Sequence, residues 1–449
     1  MDMFNKILIA NRGEIARRVI RTCKRLNIHT VAIYSEADAE SLHVKDADEA
    51  YCVGKPPVAQ SYLNIDRILE IARESGVEAV HPGYGLLSEN AEFAKRCTEA
   101  GLVFIGPSAD VIASMGSKLE ARKTMKAAGV PIVEGVEQPV KDVAEATNIA
   151  ERLGYPIMLK ASAGGGGIGM QLVDNAEELA KAFDGNQKRA QSFFGDGTMY
   201  MERFIANPHH VEVQIIADHQ GNVIPLFERE CSIQRRNQKV VEEAPSPFIS
   251  QETREKMLEA SVKAAKHIGY VNAGTIEYLV DENQNFYFLE MNTRLQVEHP
   301  VTEEITKLDL VEEQLKIAAK QALTITRESI TKEGHAIEVR IYAENPSTFF
   351  PSPGTITALE LPTGEGIRHE CGVEAGSAVT PFYDPMISKL VVWGETREIA
   401  CERLIQALNA YKVEGIQTNI PMLLKTVTHD QFLKGYTTTK FVEQYYLPQ

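Results

Sequence analysis

EMNTRLQVEHP, residues 290–300, places a charged or amide side chain at every second position: Glu290, Asn292, Arg294, Gln296 and Glu298, with Met291, Thr293, Leu295 and Val297 between them. Side chains of an extended chain alternate between two faces. The stretch therefore predicts a strand with one packed face and one wet face, the wet face crowded with groups that an ordinary surface strand does not need. Just upstream, TIEYLV (275–280) and NFYFLE (285–290) flank the polar turn DENQ (281–284), the pattern of a β-hairpin. A turn centred between Asn283 and Gln284 sets Val280 opposite Tyr287 and Glu277 opposite Glu290. Like charges directly opposed destabilise a bare antiparallel pair. Either the hairpin lies at an exposed edge where both carboxylates meet water, or a hard cation such as Mg²⁺ sits between them and takes its remaining ligands from phosphate and water.

The chain has 449 residues, 44% of them hydrophobic, enough for two or three domains with substantial cores. A formal net charge of −15 opposes general attraction to nucleic acid or to an anionic membrane, so a phosphate ligand, if there is one, is small and held in a local basic pocket. No apolar run is long enough to span a bilayer, and the N-terminal ILIA is broken at once by NRGE, which speaks against a signal peptide and a membrane location. The six cysteines are scattered without a CxxC or a Cys/His cluster, the usage of a reduced, cytoplasmic protein without structural zinc.

KILIA (6–10), the turn NRGE, the amphipathic IARRVIRTCKRL and TVAIY (30–34) form a βαβ unit of a parallel sheet, but the turn lacks GxGxxG. The alternation continues through a helix over 65–74 and strands at 77–81 and 102–106. HPGYGLLSEN (81–90) follows a strand end, where open α/β sheets bind ligands; its glycines are equally what a tight turn requires. From Lys118 a helix runs to residue 129, another ends near Ala150, and YPIMLKA (155–161) is an apolar strand in which Lys160 is poorly explained by packing. SAGGGGIGM (162–170) leaves backbone N–H groups open to a phosphate but is not GxxxxGK[ST]. Alone it reads as a linker; strands on both sides favour a hairpin flap. MYMERFI (199–205), HHVEVQIIA (209–217) and VIPLFERE (223–230) are strands. CSIQRRNQKVVEE (231–243) gathers Arg235, Arg236 and Lys239 within five residues, either an anion site beginning where strands end or a solvated run balanced by Glu242 and Glu243. A helix over 309–322 leads to the strand HAIEVRIYA (335–343), with Arg340 on the face opposite Val339 and Ile341, and EIACERLIQALNAY (398–411) closes an α+β unit.

Lys118, Lys160, the glycine run, the opposed glutamates and NTRLQVEHP in that order resemble the ATP-grasp superfamily. Within it the chain is most similar to the biotin carboxylases, through ANRGEIA, HPGYGLLSEN, QRRNQK, RLQVEHPVTE and YDPMISKL, which together span nearly its whole length. The resemblance implies an N-terminal α/β domain over 1–115, an ATP-grasp domain over 116–325 with a flap at about 131–204, and a C-terminal α+β domain over 326–449. It implies ATP-dependent carboxylation of biotin by bicarbonate through carboxyphosphate. Glu277, Glu290 and Asn292 match metal ligands for Mg²⁺ or Mn²⁺. Lys118, Lys160, Gly166 and Gly167 match phosphate contacts, while Glu202, Arg203, Phe204, Ile205 and His210 match the adenine and ribose site. Lys239, Arg294, Gln296 and Val297 match the bicarbonate site, Glu298 the general base, and Arg340 the residue that stabilises the biotin enolate.

Two positions depart from the family pattern. Ile168 stands where the flap commonly carries a cation, and Asn237, in the nucleotide site, where His is common. These departures keep a non-catalytic nucleotide-binding module open, beside another ATP-grasp ligase that joins a carboxylate to an amine. No AMKM biotinylation motif occurs. The resemblance thus implies a separate biotin carboxyl carrier protein and carboxyltransferase subunits, homodimerisation, and a cytoplasmic place in an acetyl-CoA or other acyl-CoA carboxylase of fatty-acid synthesis.

Overall fold

A computed structural model of the chain describes residues 3–163 and 169–446, so the expectations for Gly166, Gly167 and Ile168 lie outside the described residues. The N-terminal strands β1 (Lys6–Ile9), β2 (His29–Ser35), β3 (Glu49–Gly54), β4 (Ala79–His81) and β5 (Val103–Phe104) form a parallel sheet in the order β3-β2-β1-β4-β5. Ile7, Leu8 and Ile9 are fully buried because helices cover both faces, which is why β1 reads as an unbroken apolar run. Sequence reading passes over β3, a half-buried edge strand with no clean alternation.

The order reverses between β1 and β4, which opens a crevice at their carboxyl ends. Asn11, after β1, donates from Nδ2 to the carbonyls of Pro82 and Tyr84 at 2.8 Å each and so fastens the loop after β4. That loop makes the tight turn its glycines allowed. Gly83 has φ +63, and a Cβ there would stand 2.8 Å from Asn11 Nδ2; the same loop carries Glu89 to the site described below.

β6 (Ile157–Ala161), β7 (Met170–Val173) and β8 (Met199–Arg203) form a small antiparallel sheet in the order β7-β6-β8, packed on helices Val143–Leu153 and Ala176–Phe194. Lys160 pairs with Met170, so the glycine run joins two strands of one hairpin.

Among the described residues the largest sheet has eight antiparallel strands. β9 (His209–Ala217), β10 (Val223–Arg235), β11 (Gln238–Ala244), β12 (Asn272–Val280), β13 (Phe286–Asn292) and β14 (His335–Tyr342) join strands Met386–Gly394 and Ile367–Cys371 in the order β13-β12-β9-β10-β11-β14-(386–394)-(367–371). The C-terminal part therefore shares a sheet with the middle of the chain, joined where Val241 faces Val339.

Four local expectations need correction. The segment 231–243 does not begin where strands end: β10 continues to Arg235, and Arg236 and Asn237, at φ +51 and +62, make a two-residue turn into β11. That turn needs positive φ at both positions. Asn and His both tolerate it better than most residues, so Asn237 is no conformational anomaly. In the β12–β13 hairpin Val280 faces Phe286 rather than Tyr287, but a bulge after Tyr278/Phe288 inserts Leu289 and restores Glu277 opposite Glu290. The strand over 290–300 stops at Asn292; residues 293–298 turn, and helix His299–Thr306 starts with Pro300 in its first turn, where a missing N–H costs nothing. Finally, helix Arg397–Ala410 does not close the C-terminal unit, since helices Ile420–Val427 and Phe441–Tyr445 pack after it.

Candidate active site

Between the large sheet and the small one lies a cavity of about 530 Å³. Every candidate residue that falls within the described chain lines it, from Lys118 and Lys160 at one end to Glu298 and Arg340 at the other. The turn after β13 achieves what a continued strand would have done: Glu290, Asn292, Arg294, Gln296 and Glu298 all still face the cavity.

At the centre stands Lys239. β11 delivers its ammonium to within 2.6 Å of Glu212, 2.8 Å of Glu277 and 2.8 Å of Glu298. Burial alone would push the lysine pKa down, but three carboxylates outweigh it and hold the ammonium charged. Glu298 has the mirror situation. Burial favours its neutral form, yet Lys239 and Arg340, the latter 3.1 Å away, keep the carboxyl well below the usual range and ionised. Glu277 accepts from Lys239, from His210 Nε2 at 2.6 Å, from Asn292 Nδ2 at 2.7 Å and from Gln296 Nε2 at 2.7 Å. Arg294 donates from Nε to Glu89 at 2.9 Å and from its terminal nitrogen to Asn292 Oδ1 at 2.9 Å.

Beneath this layer Arg229, fully buried, donates to Glu212, Gln214, Thr302, Thr275 and Gln296 over 2.6–3.1 Å. It fixes both Glu212 and the side chain of Gln296. Lys389, also fully buried, donates to the Val297 carbonyl at 2.7 Å and so anchors the turn. Glu89, Glu212, Arg229 and Lys389 are participants that sequence reading misses. Glu212 alone has a visible signal, as a carboxylate alternating with valines in HHVEVQIIA.

At the other end Glu202 is taken up by Lys160 and, at 2.8 Å, by Arg122. Its carboxylate is committed to two cations, and the chain past β8 at Phe204 and Ile205 is what faces the adjoining cavity wall. Glu290 is the contrast: its side chain is 35% exposed, and its nearest cation among the described residues is Lys118 at 3.8 Å. Glu277, Glu290 and the Asn292 amide oxygen are hard oxygen donors of the kind a divalent cation takes, although Asn292 Oδ1 accepts from Arg294 and Glu277 from Lys239. His210, Glu212 and Glu277 also bring ligand atoms within 4.8 Å of one another, but the Lys239 ammonium already stands against two of them, so this cluster seats a lysine.

Replacing Lys239 by Met leaves three buried carboxylates without their shared cation. The expected loss of folding stability is about 3 kcal/mol or more. It should be larger at about pH 8 than at about pH 6, because buried acids whose pKa rises hold protons that the unfolded chain has released. Urea denaturation at the two pH values checks this; a loss below about 1 kcal/mol at both, the size of an exposed ion pair, overturns it.

Three family models cover the chain: "Biotin carboxylase, N-terminal domain" over residues 3–112, "Carbamoyl-phosphate synthase L chain, ATP binding domain" over 117–326, and "Biotin carboxylase C-terminal domain" over 338–444. The chain is 64% identical to a biotin carboxylase of Halalkalibacterium halodurans, over 98% of this chain and 97% of the other. It is 61% identical to biotin carboxylase 2 of Bacillus subtilis, over 99% and 100%. Among solved structures, the biotin carboxylase domain dimer of Hydrogenobacter thermophilus 2-oxoglutarate carboxylase, in complex with MgADP, ADP and bicarbonate, superposes with a TM-score of 0.97 at 50% identity, over 99% of this chain and 98% of that one.

Proposed function

The chain belongs to the biotin carboxylase family, and from that premise we propose how its own residues divide the ATP-dependent carboxylation of biotin by bicarbonate. The observation that carries the assignment is Glu298, an ionised carboxylate held between Lys239 and Arg340 at the opposite end of one cavity from Lys118 and Lys160.

Lys118 and Lys160 take the phosphates of ATP, and the chain at Arg203, Phe204 and Ile205, with His210 and Asn237, borders the nucleoside. Glu277, Glu290 and Asn292 would hold Mg²⁺ or Mn²⁺, which would supply positive charge to neutralise the negative charge developing as phosphoryl is transferred. Arg294 and Lys239, with Gln296 and the backbone at Val297, seat bicarbonate, since a planar guanidinium suits a planar anion. Glu298 removes the bicarbonate proton, and the resulting oxyanion attacks the terminal phosphorus to give carboxyphosphate and ADP. The carboxyl group then passes to the N1′ nitrogen of biotin as its bond to phosphate breaks; inorganic phosphate leaves and takes up the N1′ proton, with Arg340 offsetting negative charge on the ureido oxygen. Lys239 must share its donors with the incoming anion for this to work, which frees Glu298 to act as a stronger base at the moment it is needed. Gly166 and Gly167 complete the phosphate seat in this proposal.

We place the domain limits near 115 and 325, the active form as a homodimer like that of the solved relative, and biotin on a separate carrier protein with partner carboxyltransferase subunits. Relatives about 50% identical are named for pyruvate, propionyl-CoA and 2-oxoglutarate carboxylases, so the acceptor is chosen by the partner. The plain biotin carboxylases among the more similar relatives support an acetyl-CoA or other acyl-CoA carboxylase of fatty-acid synthesis in the cytoplasm. ADP release by the purified chain should require bicarbonate and rise when free biotin is added; release indifferent to both refutes the reading.

A further inference from the structure

Behind Arg340 lies a pair of acids to which the family reading gives no role. Glu242 on β11 and Glu338 on β14 are directly opposed across the antiparallel ladder, and both are fully buried. Glu242 accepts from Arg340 Nε at 2.6 Å through one oxygen; its other oxygen, and both oxygens of Glu338, have no hydrogen-bond partner among the described residues. The nearby cations are committed elsewhere. Arg340 spans Glu242 and Glu298, while Lys389 serves the Val297 carbonyl at 2.7 Å and Glu14 at 3.3 Å. A carboxylate that has lost water and gained no donor takes up a proton instead of staying charged.

We propose that Glu242 and Glu338 share one proton, Glu338 being the neutral acid that donates to Glu242, and that this pair is the positioning device that holds Arg340 at the carboxyl-acceptor end of the cavity. The inference rests on the role given to Arg340 above. Glu338 is a positioning residue, acting on the reaction only through Glu242 and Arg340.

The surroundings of the pair are consistent from every side. β11 contributes Lys239, β14 Arg340, strand 386–394 Lys389 and β10 the thiol of Cys231, kept neutral by burial. Above lies Glu298; helix His299–Thr306 packs Val301 and Ile305 over this face, and its His299 is held neutral by burial. Burial is the largest influence on both acids. It pushes Glu242 up to about 7 against the pull of Arg340, and Glu338 well above the usual carboxyl range. Above neutrality, losing the shared proton would oppose two anions beside Arg340 and draw its guanidinium back from the acceptor.

The test uses the whole chain. Infrared spectra of the wild type at about pH 6 should show a protonated-carboxyl C=O band that is absent from Glu338→Gln, shifted in Glu338→Asp, and lost from the wild type as the pH rises above neutrality. The wild-type KM for biotin should rise above neutral pH, by up to about tenfold per pH unit, whereas in Glu338→Gln, which donates but cannot ionise, it should stay flat. Glu338→Met, which cannot donate, should raise the biotin KM by about tenfold at all pH values, as expected for a lost hydrogen bond to a charged partner. The proposal is overturned by a wild type without the band, by a Gln variant whose KM follows the wild-type pH course, or by Gln and Met variants equally impaired. A chain that never carboxylates biotin would defeat the functional reading and still leave the infrared result to decide the shared proton.

Discussion

Glu298→Gln should lower bicarbonate-dependent ADP formation by about 10² to 10⁴-fold, the contribution of a positioned general base. The substitution keeps the volume and one acceptor oxygen toward Lys239, so the geometry of the ammonium survives while the proton acceptor is lost. Because Lys239 and Arg340 hold the native carboxyl well below its usual range, Glu298 is ionised throughout the physiological pH span. An acid limb in the wild-type rate between about pH 5 and 7 would then belong to another group, as an ordinary glutamate titrates near 4.3 and this one lies lower still. Steady-state kinetics with bicarbonate varied, beside calorimetric Mg·ATP binding to show that the nucleotide seat is intact, settle the point. A loss under about tenfold with unchanged nucleotide affinity would remove Glu298 from the role of base.

The second large effect separates the two opposed glutamates. Glu290→Gln should cost about 10³-fold or more in turnover, since a metal held against phosphate contributes several kcal/mol of transition-state stabilisation. Its effect on folding should stay within about 0.5 kcal/mol, the range for half-exposed positions without committed partners, because its nearest cation among the described residues is 3.8 Å away. Glu277→Gln should lose turnover and stability together. Glu277 is 3% exposed and accepts from four side chains, including the Lys239 ammonium. Thermal melts of both variants, with turnover at saturating Mg²⁺, are the measurement. Equal stability losses, or a Glu290→Gln enzyme within about tenfold of wild type, would contradict a shared metal seat.

What could be read from residues alone followed from local pattern. The strand 209–217 is a clean two-residue alternation, while the hairpin that opposes Glu277 to Glu290 and the strands flanking the glycines are apolar or aromatic runs beside turn residues, and all three are present. The bulge at Leu289 was invisible because an inserted residue leaves no mark on polarity when its neighbours are also apolar or aromatic. The Arg236–Asn237 turn was hidden by its charge: a run of cations looks solvated, and only the positive φ of both residues shows it to be a hairpin tip. The second layer was out of reach for another reason. Arg229 meets Gln296 across 67 positions and Arg294 meets Glu89 across 205, contacts that depend on sheet order and on the crevice beside β4. Lys389 lies in an apolar strand like Lys160, but its partners are the Val297 carbonyl and Glu14, far away in sequence, which no local side-chain pattern announces.

The eight-stranded sheet has a consequence for how such an enzyme can be rebuilt. Glu277 on β12, Lys239 on β11 and Arg340 on β14 stand on strands of one continuous antiparallel sheet, so the spacing between the nucleotide seat and the carboxyl acceptor is set by strand pairing. Such a chassis delivers its activated carboxyl group at a fixed address. New acceptor chemistry is then reached by exchanging the machinery docked outside that chassis, while mutations that try to stretch the interval from within must break the ladder first.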